Sequence, residues 1–251
     1  PFAHLHIHSH YSTLDGIVLV DKLLGRAQEM GQTAMAIPDH GVMYGVVDFY
    51  TTAQKMGVKP LVGFEAYVSP GSRREHPVGD QYSYNHLTML ARDFEGYQNL
   101  SRMCSEGFLN GFYRYPRIDK ELMQAHSAGV CVLSGCLRGE IPQLLLAGKI
   151  EEAEEAALWY QDVFGKGNYF LEIMNNGLAD QQKILPAFRE LSNKTGIPLV
   201  ATADSHYLLP DHKAIQDIMI CINTGRLLAD ENRMHAEEGC HLKSAEEMLE
   251  A

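Results

Sequence analysis

The sequence has no run of about 18 apolar residues, the length that indicates a helix crossing a bilayer. It begins Pro1-Phe-Ala, without the basic and apolar regions of a signal peptide. Cysteine is scarce: the five cysteines are an odd number and form no C-x-x-C pair, which is typical of a reducing compartment and not of a disulfide framework. We therefore expect a cytoplasmic protein with no membrane partner.

Basic residues are also few. The chain has 21 Lys and Arg against 32 Asp and Glu, which gives a formal net charge of −11. A surface that coats DNA along its length depends on many cations meeting phosphates, so this charge argues against one. Divalent metal ions bound at one place would still attract phosphate locally.

Strand and helix signals alternate along the chain. With 251 residues, 45% of them hydrophobic, we expect a single domain over 1–251. Apolar residues at helical spacing predict helices at 20–30, 45–56, 97–109, 120–126, 150–164 and 180–195. Short apolar runs predict strands at 2–8, 34–37, 60–68, 86–90, 129–136, 168–174 and 198–204. We expect loops at 69–82 and 111–117.

Nearly continuous apolar strands separated by helices are typical of a parallel sheet covered on both faces. Such a sheet is either open or closed into a barrel. Polar residues that could take part in catalysis or metal binding, named in the next paragraphs, stand near the ends of the predicted strands. Only a barrel brings all of these ends together around one opening, its mouth. The pattern therefore favours an α/β fold, a seven-stranded (β/α)7 barrel with a site at the C-terminal strand ends.

Histidine occupies every second position from His4 to His10. Alternate side chains of a strand share one face, so His6 and His8 would project together as a pair of imidazoles. A buried imidazole with an unpaired nitrogen costs roughly 1–3 kcal/mol, so four histidines are too many for an apolar core. Imidazole binds zinc, iron, nickel and copper and also serves in manganese sites.

Further polar residues stand near predicted strand ends. Glu65 interrupts an apolar run, where an unpaired carboxylate is costly. Other residues that stand near the ends of predicted strands are Asp39, His40, His86, Cys136, Asp204 and His206. Each alone has an ordinary explanation as a turn residue, a salt bridge or a small buried side chain. Their common placement indicates two or three divalent cations, which suit the hydrolysis of a phosphate ester.

These residues lie in stretches that resemble the PHP (polymerase and histidinol phosphatase) domain, in the form that opens the alpha subunit of bacterial DNA polymerase III. The resemblance is carried, in order, by HLHIHSHYSTLDG (4–16), PDHGVMYGVVDFY (38–50), GFEAYV (63–68), HLTMLARDFEGYQNL (86–100), LSGCLRGEIPQ (133–143), YFLEI (169–173) and ATADSHYL (201–208). HLKSAEEM (241–248) is similar to the sequence that leads from this domain toward the polymerase body.

The resemblance implies a distorted seven-stranded TIM-like barrel over about 1–225, followed by a segment, about 226–251, that leads toward an absent polymerase body. It also implies nine metal ligands, all of which are present. By similarity, one metal would be held by His6, His8, Glu65 and Asp204; a second by Glu65, His86 and Cys136; a third by Asp15, His40 and His206. The histidines suit zinc and the bridging carboxylates suit manganese or iron(II), whereas magnesium fits less well.

The activity implied by the resemblance is a proofreading-type 3′-5′ exonuclease, a phosphodiesterase that acts on DNA 3′ ends. The residues expected in catalysis are Glu65, Asp204, His206 and Asp39, with Asp39 placed to orient His40. Arg138 and Arg92 are candidate phosphate clamps. Tyrosines that could stack on bases are Tyr82, Tyr84, Tyr113 and Tyr115.

Two alternatives stay open from sequence. One is a metal-stabilised structural module that braces a polymerase and docks partners, and the other is a small-molecule phosphatase of the histidinol-phosphate type. No palm or fingers follow the barrel, so we expect DNA synthesis to reside elsewhere. The chain would then be either an excised domain, with the rest of a polymerase III alpha subunit as its partner, or a stand-alone relative.

Overall fold

The computed structural model describes residues 2–78 and 83–251. Its strands are β1 (Ala34–His40), β2 (Lys59–Val68), β3 (Asn85–Ala91), β4 (Phe112–Tyr113), β5 (Tyr115–Ile118), β6 (Val130–Leu133), β7 (Tyr169–Ile173) and β8 (Leu199–Ala201). Its α-helices are α1 (Val20–Glu29), α2 (Val46–Met56), α3 (Phe94–Leu109), α4 (Lys120–Ala125), α5 (Glu140–Leu146), α6 (Ile150–Phe164), α7 (Ala179–Thr195), α8 (Lys213–Thr224) and α9 (Ala245–Glu250).

The sheet curls into a barrel. β1 pairs with β2, and β3, β6, β7 and β8 follow as successive neighbours. The extended segment 4–9 continues the sheet between β8 and β1. There the N–H of Ala36 donates to the carbonyl of His4, and the N–H of His8 donates to the carbonyl of Ser205, each at 2.8 Å. The predicted α/β barrel is therefore confirmed.

Three local predictions are corrected. β3 runs antiparallel to both of its neighbours, so the sheet is not wholly parallel. The expected strand at 2–8 is extended chain that makes isolated bridges, among them Ile7 with Ser205, instead of a continuous ladder. The expected loop at 111–117 contains the β4–β5 hairpin, and β5 pairs with the end of β2.

Most of the helices pack on the outside of the sheet because they have one apolar face. α1, for example, buries Val20, Leu23, Leu24 and Ala27, which recur at helical spacing. Side chains also fix where helices begin: the carboxylate of Asp93 accepts from the N–H of Gly96 at the start of α3 (2.9 Å). Three helices, α5, α8 and α9, lie where no helix was predicted. No helix within residues 2–78 and 83–251 is both long and apolar enough to cross a membrane.

Part of the C-terminal segment packs on the barrel. Leu242 is buried in the same cluster as Ile7 and Leu23. Nε2 of His4 contacts the carbonyl of Lys243 at 2.7 Å, and Tyr207 forms a bridge with His241. Residues near 240 thus contribute to the same core as the opening segment.

Candidate metal centre

The barrel mouth collects all nine residues expected as metal ligands. The opening segment and the loop after it bring three, β1 and β2 bring one each, and β3 brings another near its N-terminal end. The loops after β6 and β8 supply the rest. In chain order they are His6, His8, Asp15, His40, Glu65, His86, Cys136, Asp204 and His206. His86 reaches the mouth from the N-terminal end of its strand because β3 is antiparallel.

Glu65 lies at the centre of this set and is 1% exposed. Its Oε2 is 2.5 Å from Nδ1 of His40 and 3.0 Å from Nδ1 of His86. Its Oε1 is 3.3 Å from Nε2 of His6. One carboxylate therefore touches imidazoles from three different segments, which is the geometry of a bridging ligand.

A first group surrounds the carboxylate of Asp204. Oδ1 of Asp204 is 3.1 Å from Nε2 of His8 and 3.5 Å from Nε2 of His6. These three ligand atoms lie within 4.8 Å of one another. The i, i+2 pair of histidines therefore faces one point, as the spacing predicted.

A second group surrounds Asp15. Its Oδ2 is 2.8 Å from Nε2 of His40 and 3.7 Å from Nε2 of His206. A second contact orients His206, whose Nδ1 lies 2.9 Å from the carbonyl of Asp204. If Nδ1 carries the proton, Nε2 presents its lone pair to the cavity.

The third group contains the thiol. Sγ of Cys136 is 3.7 Å from Nδ1 of His86 and 3.8 Å from Oε1 of Glu65. The turn that carries Cys136 requires glycine at position 135, where φ is +86° and a Cβ would lie 2.5 Å from the carbonyl oxygen of His86. The backbone itself is thus shaped to bring the thiol to His86.

Glu172 is a residue of the site that the sequence analysis did not single out. Its Oε1 is 2.8 Å from Nδ1 of His6, and its Oε2 accepts from the N–H of Gly135 at 2.9 Å. The hydroxyls of Thr88 and Thr202 also donate to it, at 3.3 Å and 2.6 Å. It stands in the apolar run YFLEI, so the signal that identified Glu65, a carboxylate inside a buried strand, was available here too.

Asp39 does not lie against the His40 ring as expected. Its carboxylate accepts from the N–H of Ser9 (2.7 Å) and from the hydroxyl of Ser12 (2.7 Å). The Ser12 oxygen in turn accepts from the backbone N–H of His40 and lies 3.3 Å from Nδ1 of His8. Asp39 therefore acts through Ser12, on the backbone of His40 and the ring of His8.

The four histidines of the opening run do not share one face. His4 turns to the C-terminal segment, where burial lowers its pKa to about 4. His10 is exposed, and its Nδ1 contacts the carbonyl of Val18. The segment is extended without a regular ladder, so strict alternation holds only for His6 and His8.

The buried carboxylates are held ionised by the imidazoles around them. Burial alone raises the pKa of Glu65, but the charges of His86 and His40 hold it well below its usual range. Burial alone lowers the pKa of His40, yet Glu65 and Asp15 raise it to about 9. Burial lowers the pKa of His8 to about 3, and burial with the charge of Glu65 raises the pKa of the Cys136 thiol. The cluster is a charged, desolvated set of metal-ligating groups.

Three buried atoms of the mouth, Nδ1 of His40, Oε2 of Glu65 and Oδ1 of Asp204, lie 2.5–3.1 Å from other ligand-type atoms but complete no hydrogen bond with the described residues. Native structures leave few such atoms, and each calls for an explanation. These atoms belong to sets of close donors that could hold a metal ion: His6 with His8 and Asp204, and His40 with Glu65 and His86. This set of imidazoles, carboxylates and one thiol fits divalent transition metals.

Two residues of the site have unusual backbone. Leu14 has φ of 63° and Asp204 has φ of 48°, in the left-handed region that non-glycine residues rarely adopt. Each such residue costs about 1–3 kcal/mol and persists only where surrounding contacts impose it. One precedes Asp15 and the other is itself in the site, so the strain lies where the loops turn their carboxylates inward.

Some of the residues expected to contact substrate lie at the rim of the mouth. Nη1 of Arg138 is 3.2 Å from the hydroxyl of Tyr84, whose ring stacks on His86 with centroids 5.8 Å apart. Tyr115 lies 5.0 Å from Tyr84 by ring centroids. Arg138 and these two tyrosines are thus placed beside the mouth.

Other expected contacts are elsewhere. Arg92 follows β3 at its C-terminal end, where its guanidinium bonds Asn168, just before β7. Because β3 is antiparallel, this is the end of the barrel opposite the mouth, so the structure does not bring Arg92 together with the candidate metal ligands. Tyr113 stacks on His76 with centroids 4.8 Å apart. Tyr82 lies outside the described residues.

Comparison with known proteins gives consistent matches. The family model of the PHP domain matches residues 4–176. The chain is 45% identical over 259 aligned residues to a DNA polymerase III subunit alpha of Deinococcus radiodurans, covering 100% of this chain and 19% of that protein. It is 42% identical to the corresponding subunit of Treponema pallidum, covering 99% of this chain and 22% of that protein. The chain thus spans about a fifth of the length of these relatives.

Solved structures share the fold at low sequence identity. An amidohydrolase from Chromobacterium violaceum superposes with a TM-score of 0.53 at 15% identity, covering 81% of this chain and 87% of that chain. A protein of Bifidobacterium adolescentis, assigned as a metal-dependent phosphoesterase, superposes with a TM-score of 0.52 at 14% identity and the same coverage. These likenesses concern the fold.

Proposed function

This chain belongs to the PHP domain family, and we propose that it is a metal-dependent phosphodiesterase that removes nucleotides from DNA 3′ ends. The observation that carries the proposal is the convergence of nine ligand-type side chains around Glu65, itself one of them, at the barrel mouth, where buried ligand atoms lie in close contact without completing hydrogen bonds. A barrel retained only as a support would have no need of desolvated carboxylates crowded against ligand-type imidazoles in its interior.

The proposed ligands follow the three groups. His6, His8 and Asp204 would share one ion with Glu65. His86 and Cys136 would hold a second ion with Glu65. Asp15, His40 and His206 would hold a third. Zinc, manganese and iron(II) suit these donors better than magnesium. Bound divalent ions would activate a water molecule and neutralise charge that develops on the phosphate.

The protein's own residues prepare these donors. Glu172 fixes the proton on Nδ1 of His6, so that Nε2 faces the centre. Ser12, held by Asp39, lies against Nδ1 of His8 and directs its Nε2 inward in the same way. The ionised carboxylates of Glu65 and Asp204 each contact more than one imidazole and would serve as ligands to the bound ions.

The rim supports a nucleic-acid substrate. Arg138 is exposed beside the mouth and would clamp a phosphate. Tyr84 and Tyr115 would stack on the bases of a frayed 3′ end. Metal ions bound at the mouth would attract the phosphates of DNA locally, although the net charge of −11 repels DNA from the chain as a whole. The family of the relatives, replicative polymerase subunits, supports a DNA end as substrate and the remainder of such a subunit, in the cytoplasm, as partner.

The test supplies protein that has been stripped of metal and reloaded in turn with zinc, manganese, iron(II) or magnesium. Each form is incubated with labelled single-stranded and primer-template DNA, and with p-nitrophenyl phosphate as a monoester. We expect stepwise shortening from the 3′ end with at least one transition metal. Glu65→Ala should lose it, and Arg138→Gln should weaken DNA binding without loss of metal.

Other results would replace the proposal. Cleavage of the monoester alone would indicate a small-molecule phosphatase. Metal binding without cleavage of either substrate would indicate a structural module. Exposed Glu190→Gln on α7 is the matched control, since it changes a carboxylate that lies far from the mouth in the fold.

A further inference from the structure

A second cavity, of about 400 Å³, lies in the half of the barrel opposite the mouth. Its apolar lining comes from the opening segment and from β2, β3, β6, β7 and β8, and includes Leu5, Leu61, Leu90, Leu133, Phe170 and Val200. Barrels of this kind normally fill their interior with layers of side chains. Here the side chains in the half of the barrel opposite the mouth do not fill it, and the space that remains has the size of a ligand pocket.

This cavity is separate from the metal centre. Phe170 precedes Glu172 by two residues on β7, and Leu90 follows Thr88 by two residues on the antiparallel β3. Residues two apart on a strand face the same side, so the apolar layer lies beneath the hydrogen-bonded layer of Glu172 and Thr88. The polar layer forms a floor between the two spaces.

The cavity is open and apolar. Leu61, Phe170 and Val200 are only partly buried although they point into the barrel, and Leu5 is likewise partly exposed. A polar molecule such as water finds few partners in a space with this lining, whereas apolar ligands bind such spaces. The lining atoms also lack packing partners on the cavity side, which a bound apolar group would restore.

Two cations stand at the open end. Lys59 begins β2, Arg92 follows β3, and both are exposed residues that line the cavity. Within the described ranges, no carboxylate lies within 4.0 Å of either side chain. In a chain with a net charge of −11, two cations without a carboxylate partner at the rim of an apolar space form a local site for an anionic head group.

We propose that this lower cavity binds an amphipathic anion, with an aliphatic or aromatic body among Leu61, Leu90, Phe170 and Val200 and a carboxylate or sulfonate head between Lys59 and Arg92. The proposal is independent of the activity at the mouth. The structure also offers a reporter: Cys131 lines the same cavity and is partly buried.

The experiment titrates the full chain with anilinonaphthalene sulfonate, followed by fluorescence, and then displaces the dye with decanoate, decanol or acetate. Decanoate should displace it, decanol should need roughly ten times the concentration because it lacks the charge, and acetate should have no effect. The double variant Lys59→Gln/Arg92→Gln should bind decanoate roughly tenfold more weakly. Lys183→Gln, which changes an exposed lysine on α7, should bind as the unmodified chain does.

A second measurement needs no variant. Iodoacetamide labelling read by mass spectrometry should show that decanoate slows the alkylation of Cys131 several-fold. Cys104, which lies outside the cavity lining, should react at an unchanged rate. The proposal is overturned if Cys131 reacts equally fast with and without decanoate, or if decanol and decanoate bind equally well.

Discussion

Oε1 of Glu172 lies 2.8 Å from Nδ1 of His6, while Nε2 of the same ring lies 3.3 Å from Glu65. The imidazole thus stands between a carboxylate that orients it and a carboxylate that would share a metal with it. Both side chains of the Glu172–His6 contact are fully buried. His6 thus connects Glu172, in the polar layer inside the barrel, to Glu65 among the metal ligands at the mouth.

The first prediction follows from that contact. Glu172→Gln removes the negative charge that favours a proton on Nδ1 of His6, so metal affinity should fall about 10-fold to 100-fold. Competition with a chelating dye measures it directly. Glu190→Gln is the control for loss of a carboxylate. Equal affinities for Glu172→Gln and the unmodified chain would show that Glu172 does not orient a ligand.

A second prediction concerns metal removal. The mouth concentrates desolvated carboxylates and imidazoles, so an ion bound there stabilises the folded state. At a free metal concentration of 100 times Kd, stripping should cost about 2.7 kcal/mol of unfolding free energy. Calorimetry with and without chelator measures the change in Tm. Glu65→Ala should show a much smaller chelator effect, and an identical effect would place the stabilising ion elsewhere.

A third prediction tests the turn that carries Cys136. Gly135→Ala should destabilise the chain by about 3 kcal/mol, because it combines a left-handed backbone with a Cβ 2.5 Å from the His86 carbonyl oxygen. Gly148→Ala is the matched control: φ is +72° there, but among the described residues no atom beyond its chain neighbours lies within 4 Å of the added carbon. It should cost about 1 kcal/mol. Urea midpoints compare the two, and equal losses would show that the close approach to His86 has no energetic effect.

Sequence patterns predicted much of this fold for clear physical reasons. The i, i+2 spacing places His6 and His8 together wherever the chain is extended, and apolar periodicity located most of the helices. The direction of β3 was not predictable in this way, because an apolar run does not show whether the strand is parallel or antiparallel to the strands beside it. That one reversal moved Arg92 to the far end of the barrel.

Asp15 illustrates a second limit. Leu14-Asp15-Gly16 has the composition of an ordinary turn, and the resemblance to the PHP family, not the local pattern, identified the carboxylate as a ligand. Its position depends on tertiary contacts such as the one between its carbonyl and Gln216 of α8. A contact across about 200 residues leaves no local signal. Glu172, by contrast, had the same local signal as Glu65 and could have been found.

A fourth prediction concerns pH. Asp217 accepts from Nη1 of Arg233 at 3.0 Å and from the N–H of Ala236 at 2.7 Å, and the hydrogen bond from Arg233 holds its pKa below the usual 3.8. Because the folded pKa is depressed, its stabilisation is present above the unfolded pKa and is lost as pH falls through the folded pKa. Asp217→Asn should therefore lose about 1 kcal/mol at neutral pH, and the difference should vanish below the folded pKa. Thermal melts from pH 7 to 2 test this, and a difference that stays constant with pH would contradict it.

The most direct test of the central claim is the number of metal ions that the chain retains. Elemental analysis after reloading and extensive dialysis should find more than one transition-metal ion per chain, and markedly fewer in Glu65→Gln, because that carboxylate contacts ligands of more than one group. Glu190→Gln should retain the full number. One ion or none per chain, or an unchanged number in Glu65→Gln, would contradict a multinuclear centre built around Glu65.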